Sequence, residues 1–253
     1  MLKMRGDILK KKLMVLCAVA IIISTCLSGC KMNSGKIRFG SAGIGGTYQI
    51  FGDTFANLIS SKSKKYNIEV KTTAGSAANL RLLSKDYIQM AVAQMDLIND
   101  AYNRTGIFEN DKKYQGYRAV ASLYTEACQI VVPADSDIQS MDDLEGKKVC
   151  IGEEESGTEQ NALQILNAYG LNERLVDTVN LNYTDAAKKL KSGDIDAFFC
   201  TAGVQTTVIN ELSKQCKIRL VSLDQKGISR LKKSYKFYTE YTCLLYTSDA
   251  ADE

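Results

Sequence analysis

The chain has 253 residues, 45% of them hydrophobic and 24% charged, with 32 Lys and Arg against 29 Asp and Glu. This composition is globular, and a net charge of +3 is too small to indicate a nucleic-acid-binding surface. The sequence contains no His, which excludes Ser-His-Asp and Cys-His catalytic pairs, His-ligated metal sites and the usual near-neutral proton shuttle. We therefore expect neither a metal nor a cofactor.

Residues 1–29 have the pattern of a signal peptide. A basic segment precedes the 11 apolar residues 13–23, which are fewer than the roughly 20 that a membrane-spanning helix needs. A buried core helix is the alternative, but it does not explain the preceding lysines. The run Leu27-Ser28-Gly29-Cys30 then resembles the lipobox of bacterial lipoproteins. Cys30 would be lipidated, residues 30–36 would form a tether, and the chain would be extracytoplasmic and anchored to the membrane.

Predicted elements follow in alternation from residue 37 onward. In chain order they are a strand at 37–40, a helix with apolar positions 51, 55, 58 and 59, a strand at 68–73, a helix from 76, a strand at 90–93, a helix at 96–102, a strand at 149–152, a helix with apolar positions 162, 165, 166 and 169, a strand at 179–182, a helix at 184–191, a strand at 197–201, a helix at 205–213 and a strand at 218–223. This alternation predicts parallel sheets with helices on both faces, an α/β fold.

The alternation is interrupted at 117–133, where two apolar runs, 119–121 and 130–132, have no helix between them. Pro133, the one proline of the chain, follows, and residues 140–143 have the pattern of a capping box that begins a new helix. We interpret the interruption as a crossing from lobe one, 37–124, to lobe two, 125–220, with 221–242 returning to lobe one. A local hairpin within one domain is the alternative.

The last residues, 243–253, resemble a translated sequencing adapter and have neither helical nor strand periodicity. A genuine disordered tail is the alternative. If the segment is an adapter, the native sequence continues after Thr242 and lobe one is incomplete here. The body between the two ends has four cysteines, Cys128, Cys150, Cys200 and Cys216, without the Cys-x-x-Cys spacing of zinc or redox sites. An oxidising compartment would allow a disulfide, whose pairing the sequence does not determine.

Two turns of glycine and threonine each lie between a predicted strand and the following helix. Residues 43–48 read Gly-Ile-Gly-Gly-Thr-Tyr, and residues 156–159 read Ser-Gly-Thr-Glu. Free N–H groups and the positive end of the helix dipole favour an anion at such a place, although many strand–helix turns use these residues without binding anything. A dinucleotide fingerprint starting at Gly43 would require glycine where Tyr48 stands, and no P-loop occurs.

In the same order along the chain, several stretches resemble the TAXI branch of the substrate-binding receptors of tripartite ATP-independent periplasmic (TRAP) transporters. The similar stretches are 45–48, 75–83, 91–94, 118–124, 152–159 and 196–203. The resemblance implies a two-lobed, type II-like periplasmic binding protein. Such a protein is not an enzyme: it closes a Venus-flytrap cleft on a small carboxylate, a glutamate-like amino acid or a C4–C5 dicarboxylate, and delivers it to a TRAP membrane subunit. The ligand-binding residues that the resemblance implies are Gly45, Gly46, Thr47, Tyr48, Ser76, Asn79, Gln94, Ser156, Gly157, Thr158, Ala202 and Gly203.

Alternatives remain for several of these residues and for the function. Asn79 and Gln94 are equally suited to be structural amides, and Tyr48 to be a core residue. The acidic run 153–155 departs from the family pattern and leads us to expect an amino acid ligand over a plain dicarboxylate, unless the run is a solvated loop. An orphan sensor or surface lipoprotein of the same fold is the main rival, and an exported enzyme using Ser156 lacks a suitably spaced base.

Overall fold

The computed structural model describes residues 36–112, 114, 116–204 and 206–242. The predicted signal peptide, Cys30 and the 243–253 segment lie outside the described residues. In chain order the elements are β1 (Lys36–Gly40), α1 (Thr47–Lys62), β2 (Asn67–Lys71), α2 (Ser76–Ser84), β3 (Met90–Ala91), α3 (Met95–Asn103), β4 (Ala127–Pro133), β5 (Lys148–Cys150), α4 (Gly157–Ala168), β6 (Asp177–Val179), α5 (Tyr183–Ser192), β7 (Ala197–Ala202), α6 (Thr207–Ser213), β8 (Ile218–Leu220) and α7 (Gln225–Ser234), with 3-10 turns at Gly106–Phe108 and Asp142–Leu144. Within this part of the chain, none of the helices combines the length and the apolar character needed to cross a membrane.

Lobe one is built on a parallel sheet of three strands in the order β2-β1-β3. Helix α1 packs on it through Phe51 and Phe55, whose stacked rings lie 5.9 Å apart and contact the ring of Phe39 on β1. Gly52 permits this close approach, because a Cβ atom there would lie 3.3 Å from the Phe39 ring. Apolar residues of α2, α3 and the first 3-10 turn form a separate small core.

Lobe two is built on a mixed sheet of five strands in the order β6-β5-β7-β4-β8. Its central strand β7 is buried along its whole length and has an apolar cluster on each face. Phe199 packs with Ile165 of α4 on one face, and Phe198 packs with Leu190 of α5 and Leu212 of α6 on the other. Two-sided burial of this kind explains why β7 is apolar at every position except Thr201.

The prediction of parallel sheets holds for lobe one and for β5, β6 and β7, but the apolar run at 130–132, for which no strand direction was predicted, forms the antiparallel strand β4. This strand runs antiparallel to both β7 and β8. It enters lobe two directly from residues 117–126, which form neither helix nor strand, so no crossover helix has to turn it parallel. The apolar run at 119–121 accordingly forms no strand, and Val120 is 85% exposed.

The capping-box pattern at 140–143 is present in the structure, but a full helix does not follow it. The Asp143 carboxylate accepts hydrogen bonds from the Ser140 backbone N–H at 2.8 Å and from its hydroxyl at 2.9 Å. The element is a single 3-10 turn, Asp142–Leu144, because Gly146 at φ +73° ends it and β5 begins at Lys148.

Residues 221–242 lie on lobe two, whereas the sequence predicts a return to lobe one. Helix α7 packs against α4, and Val221, Leu231, Tyr235 and Tyr238 join the apolar cluster on the α4 face of the larger sheet. These side chains bury apolar surface there, which accounts for the position of the segment. Cys128, Cys150, Cys200 and Cys216 are all free thiols.

Candidate functional site

A cleft between the two lobes contains most of the residues singled out by sequence. It holds about 40 Å³ that the centre of a water-sized sphere can reach, within a wider opening that is continuous with solvent. Its lining consists of Ala42, Gly43, Gly46, Thr47, Tyr48, Ala74, Gly75, Ser76, Gln94, Glu153, Ser156, Gly157, Thr158, Leu181, Asn182, Tyr183, Thr201 and Ala202.

Five helices begin at this cleft: α1, α2 and α3 from lobe one, and α4 and α5 from lobe two. The first N–H groups of a helix have no partner within it, and each helix start carries about half a unit of positive charge. Helices α1 and α2 follow Gly46 and Gly75, which cap no N–H through a side chain. The cleft therefore offers N–H donors and positive potential from both lobes.

The start of α2 depends on glycine. Gly75 has φ +133° and ψ −144°, a conformation that residues with a side chain rarely adopt. A Cβ atom at this position would also lie 3.4 Å from the Cα atom of Ser156 in lobe two. The backbone thus brings the starts of α2 and α4 together across the cleft.

The start of α4 is held rigidly by lobe two. The Ser156 hydroxyl accepts a hydrogen bond from the Glu159 N–H at 2.9 Å, which is the standard N-cap arrangement. The Thr158 hydroxyl bonds to that of Tyr183, which donates in turn to the Thr201 carbonyl at 2.9 Å. The Ser156 hydroxyl is therefore committed to the cap, so we expect this turn to offer a ligand its backbone N–H groups.

Two buried polar atoms in the lining have no hydrogen-bond partner among the described residues. They are the Gln94 Oε1 atom and the Thr201 Oγ1 atom. An unpaired buried polar atom costs about 1–3 kcal/mol, so few are left in a folded protein without a functional reason. Their presence in this cleft identifies it as the best candidate site.

The lobes contact each other directly around the cleft. Glu155 accepts hydrogen bonds from Arg81 through its carboxylate at 2.7 Å and from the Ala78 N–H through its carbonyl at 3.2 Å. The Gln94 side-chain amide donates to Asn161 Oδ1 at 3.0 Å. The cleft is therefore in a closed arrangement, with hydrogen bonds from one lobe to the other.

The acidic run 153–155 is divided among three environments. Glu153 lines the cleft, Glu154 is exposed, and Glu155 reaches Arg81 in lobe one. Burial, together with the nearby Asp185 charge, raises the pKa of the Glu153 carboxyl. One carboxylate of the three therefore faces the cleft, and neither sequence interpretation describes the whole run.

Nine of the twelve residues implied by the resemblance line the cleft. Asn79 does not, because its side chain is fully buried and donates to the carbonyls of Ser41 at 2.7 Å and Val92 at 2.9 Å. It fixes the strand ends of lobe one, as the structural-amide alternative predicted. Gly45 and Gly203 also lie outside the lining, although a Cβ atom on Gly203 would be 3.5 Å from the Thr47 hydroxyl.

Glu126 is a residue that sequence reasoning missed. It accepts a hydrogen bond from Tyr48 at 3.2 Å and a longer one from Tyr124 at 3.5 Å. Burial raises its pKa to about 7, although hydrogen bonds from Gln94 and Tyr48 lower it. An acidic residue at the crossing between the lobes, just before the apolar strand β4, was the available signal. Among the described residues, no group of His, Cys, Asp and Glu is suited to hold a metal ion.

Similarity to known proteins shows the family and the fold of this chain. Residues 39–248 match the model of the NMT1-like family. The fold is similar to that of a binding protein component of an ABC phosphonate transporter from Pseudomonas aeruginosa, with a TM-score of 0.52 and 12% identity over 79% of this chain and 73% of that one. It is also similar to the alkanesulfonate-binding protein SsuA from Xanthomonas axonopodis pv. citri bound to MOPS, with a TM-score of 0.50 and 18% identity over 74% of this chain. This chain spans 60% of the length of that protein. The chain belongs to the NMT1-like family and has the α/β fold of two-lobed periplasmic solute-binding proteins.

Proposed function

We propose that this protein is an extracytoplasmic solute-binding receptor that captures a small carboxylate for a membrane transporter. The observation that carries the proposal is the convergence of five helix starts, from both lobes, on one cleft. A carboxylate between these helix starts can accept hydrogen bonds from backbone N–H groups of lobe one and lobe two at once. The two candidate classes are a glutamate-like amino acid and a C4–C5 dicarboxylate.

The mechanism is capture followed by release, without a reaction. The solute enters the open cleft, bridges the starts of α1 and α2 to that of α4, and stabilises the closed arrangement. Residues 117–126, which connect the two lobes, are the expected hinge. The cross-lobe bonds of Glu155 and Asn161 then hold the lobes together until the transporter opens them.

The type of membrane transporter that this receptor serves is the more specific part of the proposal. The resemblance of the ordered motifs to TAXI receptors supports a TRAP membrane subunit, whereas one of the similar solved structures is a component of an ABC phosphonate transporter. The shared fold does not decide between them. The segment before β1 supports export and a lipid anchor at Cys30, which would keep the receptor at the membrane surface.

A thermal-shift panel tests the solute class. The full chain is heated with L-glutamate, L-aspartate, 2-oxoglutarate, succinate, ethanesulfonate or methylphosphonate. A solute at 1,000 times its dissociation constant adds about 4 kcal/mol, which corresponds to a rise in Tm of about 8–16 °C. A rise with a carboxylate supports the proposal, and a rise with the sulfonate or phosphonate alone contradicts it.

Two matched variants place the binding at the cleft. Thr47→Val removes a hydroxyl from the first turn of α1 in the lining, and Thr207→Val removes an exposed one from the first turn of α6. We expect the first variant to lose most of the solute-dependent rise in Tm and the second to keep it. Equal loss in both would show that binding does not occur in the cleft.

A further inference from the structure

Glu153 is the one charged side chain among the residues that line the cleft. It belongs to lobe two, but its carboxylate lies against lobe one, since a Cβ atom on Gly43 would be 2.2 Å from Glu153 Oε2. The carboxylate is thus at the junction of the lobes, beside the turn that leads into α1.

This carboxylate has no positive partner among the described residues. The cleft lining contains neither Lys nor Arg, and Glu153 makes no ion pair there. The neighbouring charge is that of Asp185, which has the same sign and is already paired with Lys188. Burial and Asp185 together raise the pKa of Glu153, as expected for a carboxylate with no cation to stabilise its charge.

A further acceptor in the same lining lacks a donor, since Gln94 Oε1 can only accept a hydrogen bond and has no partner among the described residues. An ammonium group has three donors and no acceptor, so it complements unpaired acceptors of this kind. The helix starts in the same cleft complement an anion instead.

Resting on the proposed function, we infer that the receptor selects a solute bearing an ammonium group as well as a carboxylate, and that Glu153 is the residue that pairs with the ammonium. A plain dicarboxylate would bring two negative charges and no compensating positive charge into a cleft that already contains this carboxylate and offers no Lys or Arg. Juxtaposed like charges of this kind oppose binding.

Calorimetric titration of the full chain with two pairs of solutes tests the inference. L-Glutamate is compared with 2-oxoglutarate, and L-aspartate with succinate, since the members of each pair differ in the ammonium group. We expect the wild-type protein to bind at least one amino acid ten-fold or more tightly than its partner, about 1.4 kcal/mol. Tighter or equal binding of both ammonium-free solutes would overturn the inference and leave the proposed function in place.

Two neighbouring variants assign the effect to Glu153. Glu153→Gln should reduce the preference for the amino acid by about ten-fold, whereas Glu154→Gln, at the exposed neighbour, should leave it unchanged. Equal preferences in both variants would remove Glu153 from the explanation. The wild-type comparison remains decisive if Glu153→Gln fails to fold. Absence of binding for all four solutes would contradict both the proposed carboxylate class and this inference.

Discussion

The contact between Arg81 and Glu155 provides the sharpest test of cleft closure. Arg81 is held within lobe one by Asp111 at 3.3 Å and by the Phe108 ring, whose centroid is 5.0 Å from the guanidinium carbon. From this fixed position it reaches Glu155 of lobe two at 2.7 Å. Opening of the cleft must break the bond between Arg81 and Glu155 but leaves the contacts of Arg81 within lobe one intact. This bond therefore stabilises the closed form alone.

The exposure and the geometry of the Arg81–Glu155 pair determine how much free energy it contributes to closure. The side chains of Arg81 and Glu155 are 23% and 45% exposed, so solvent screens the pair partly. Exposed ion pairs contribute about 0.2–1 kcal/mol, and the short charge-assisted bond with a pre-positioned guanidinium places this one near the upper value, about 1 kcal/mol. Glu155→Gln removes the charge and keeps the backbone. We therefore expect about five-fold weaker solute binding, expressed mainly as faster dissociation.

Stopped-flow dissociation of the solute that gives the largest thermal shift measures this effect. The matched control is the ion pair between Lys147 and Asp137, 2.9 Å apart, which lies within lobe two. Asp137→Asn should leave the dissociation rate unchanged. An unchanged rate in Glu155→Gln, or the same increase in Asp137→Asn, would refute the view that the Arg81–Glu155 bond stabilises closure.

Three further predictions concern stability. Gly75→Ala should lower the free energy of unfolding by about 1–3 kcal/mol in a denaturant titration, because alanine is strained at φ +133°; an unchanged midpoint would show that the turn relaxes freely. The folded-state pKa of Glu126, about 7, lies above its ordinary value of 4.5, so its stabilising contribution is full below about pH 4.5 and is lost as the pH rises through 7. Glu126→Gln should therefore raise Tm relative to the wild type at pH 8 but not at pH 4.5, and a pH-independent difference would contradict the assignment. Tyr238→Phe removes the hydroxyl that accepts from Asn161 at 2.8 Å and donates to Gln164 at 2.7 Å, so we expect a loss of at least about 1 kcal/mol. Tyr235→Phe, at a residue whose hydroxyl has no hydrogen bond to another described residue, should cost less, and equal losses would argue against these bonds.

Much of the fold could be predicted because local patterns and tertiary packing agree. The apolar spacing of α1 places Phe51 and Phe55 on the sheet, and the largely apolar sequence of β7 reflects burial on both faces. The spacing also marked Leu58, which is 54% exposed, since periodicity alone does not reveal how wide the buried face is. Strand direction was not predictable at β4, because apolar runs look the same in parallel and antiparallel pairs.

The candidate site was predictable where glycine and hydroxyl residues precede a helix, as at Gly46 and Gly157. It was not predictable where a residue acts through distant partners. Asn79 has its hydrogen-bond acceptors at the ends of β1 and β3, on Gly40, Ser41 and Val92, so its structural role depends on tertiary contacts. The roles of Glu126 and Glu153 likewise depend on burial and on the opposite lobe, which local sequence does not encode.

Small-angle X-ray scattering during solute titration tests the central claim, that one solute draws the two lobes together. The full chain is measured without solute and with a saturating amount of the solute that binds most tightly. We predict a smaller radius of gyration and a shorter maximum dimension on binding, with a weaker response in Glu155→Gln. A radius of gyration that stays constant while calorimetry reports saturation would contradict closure of the cleft as the basis of capture.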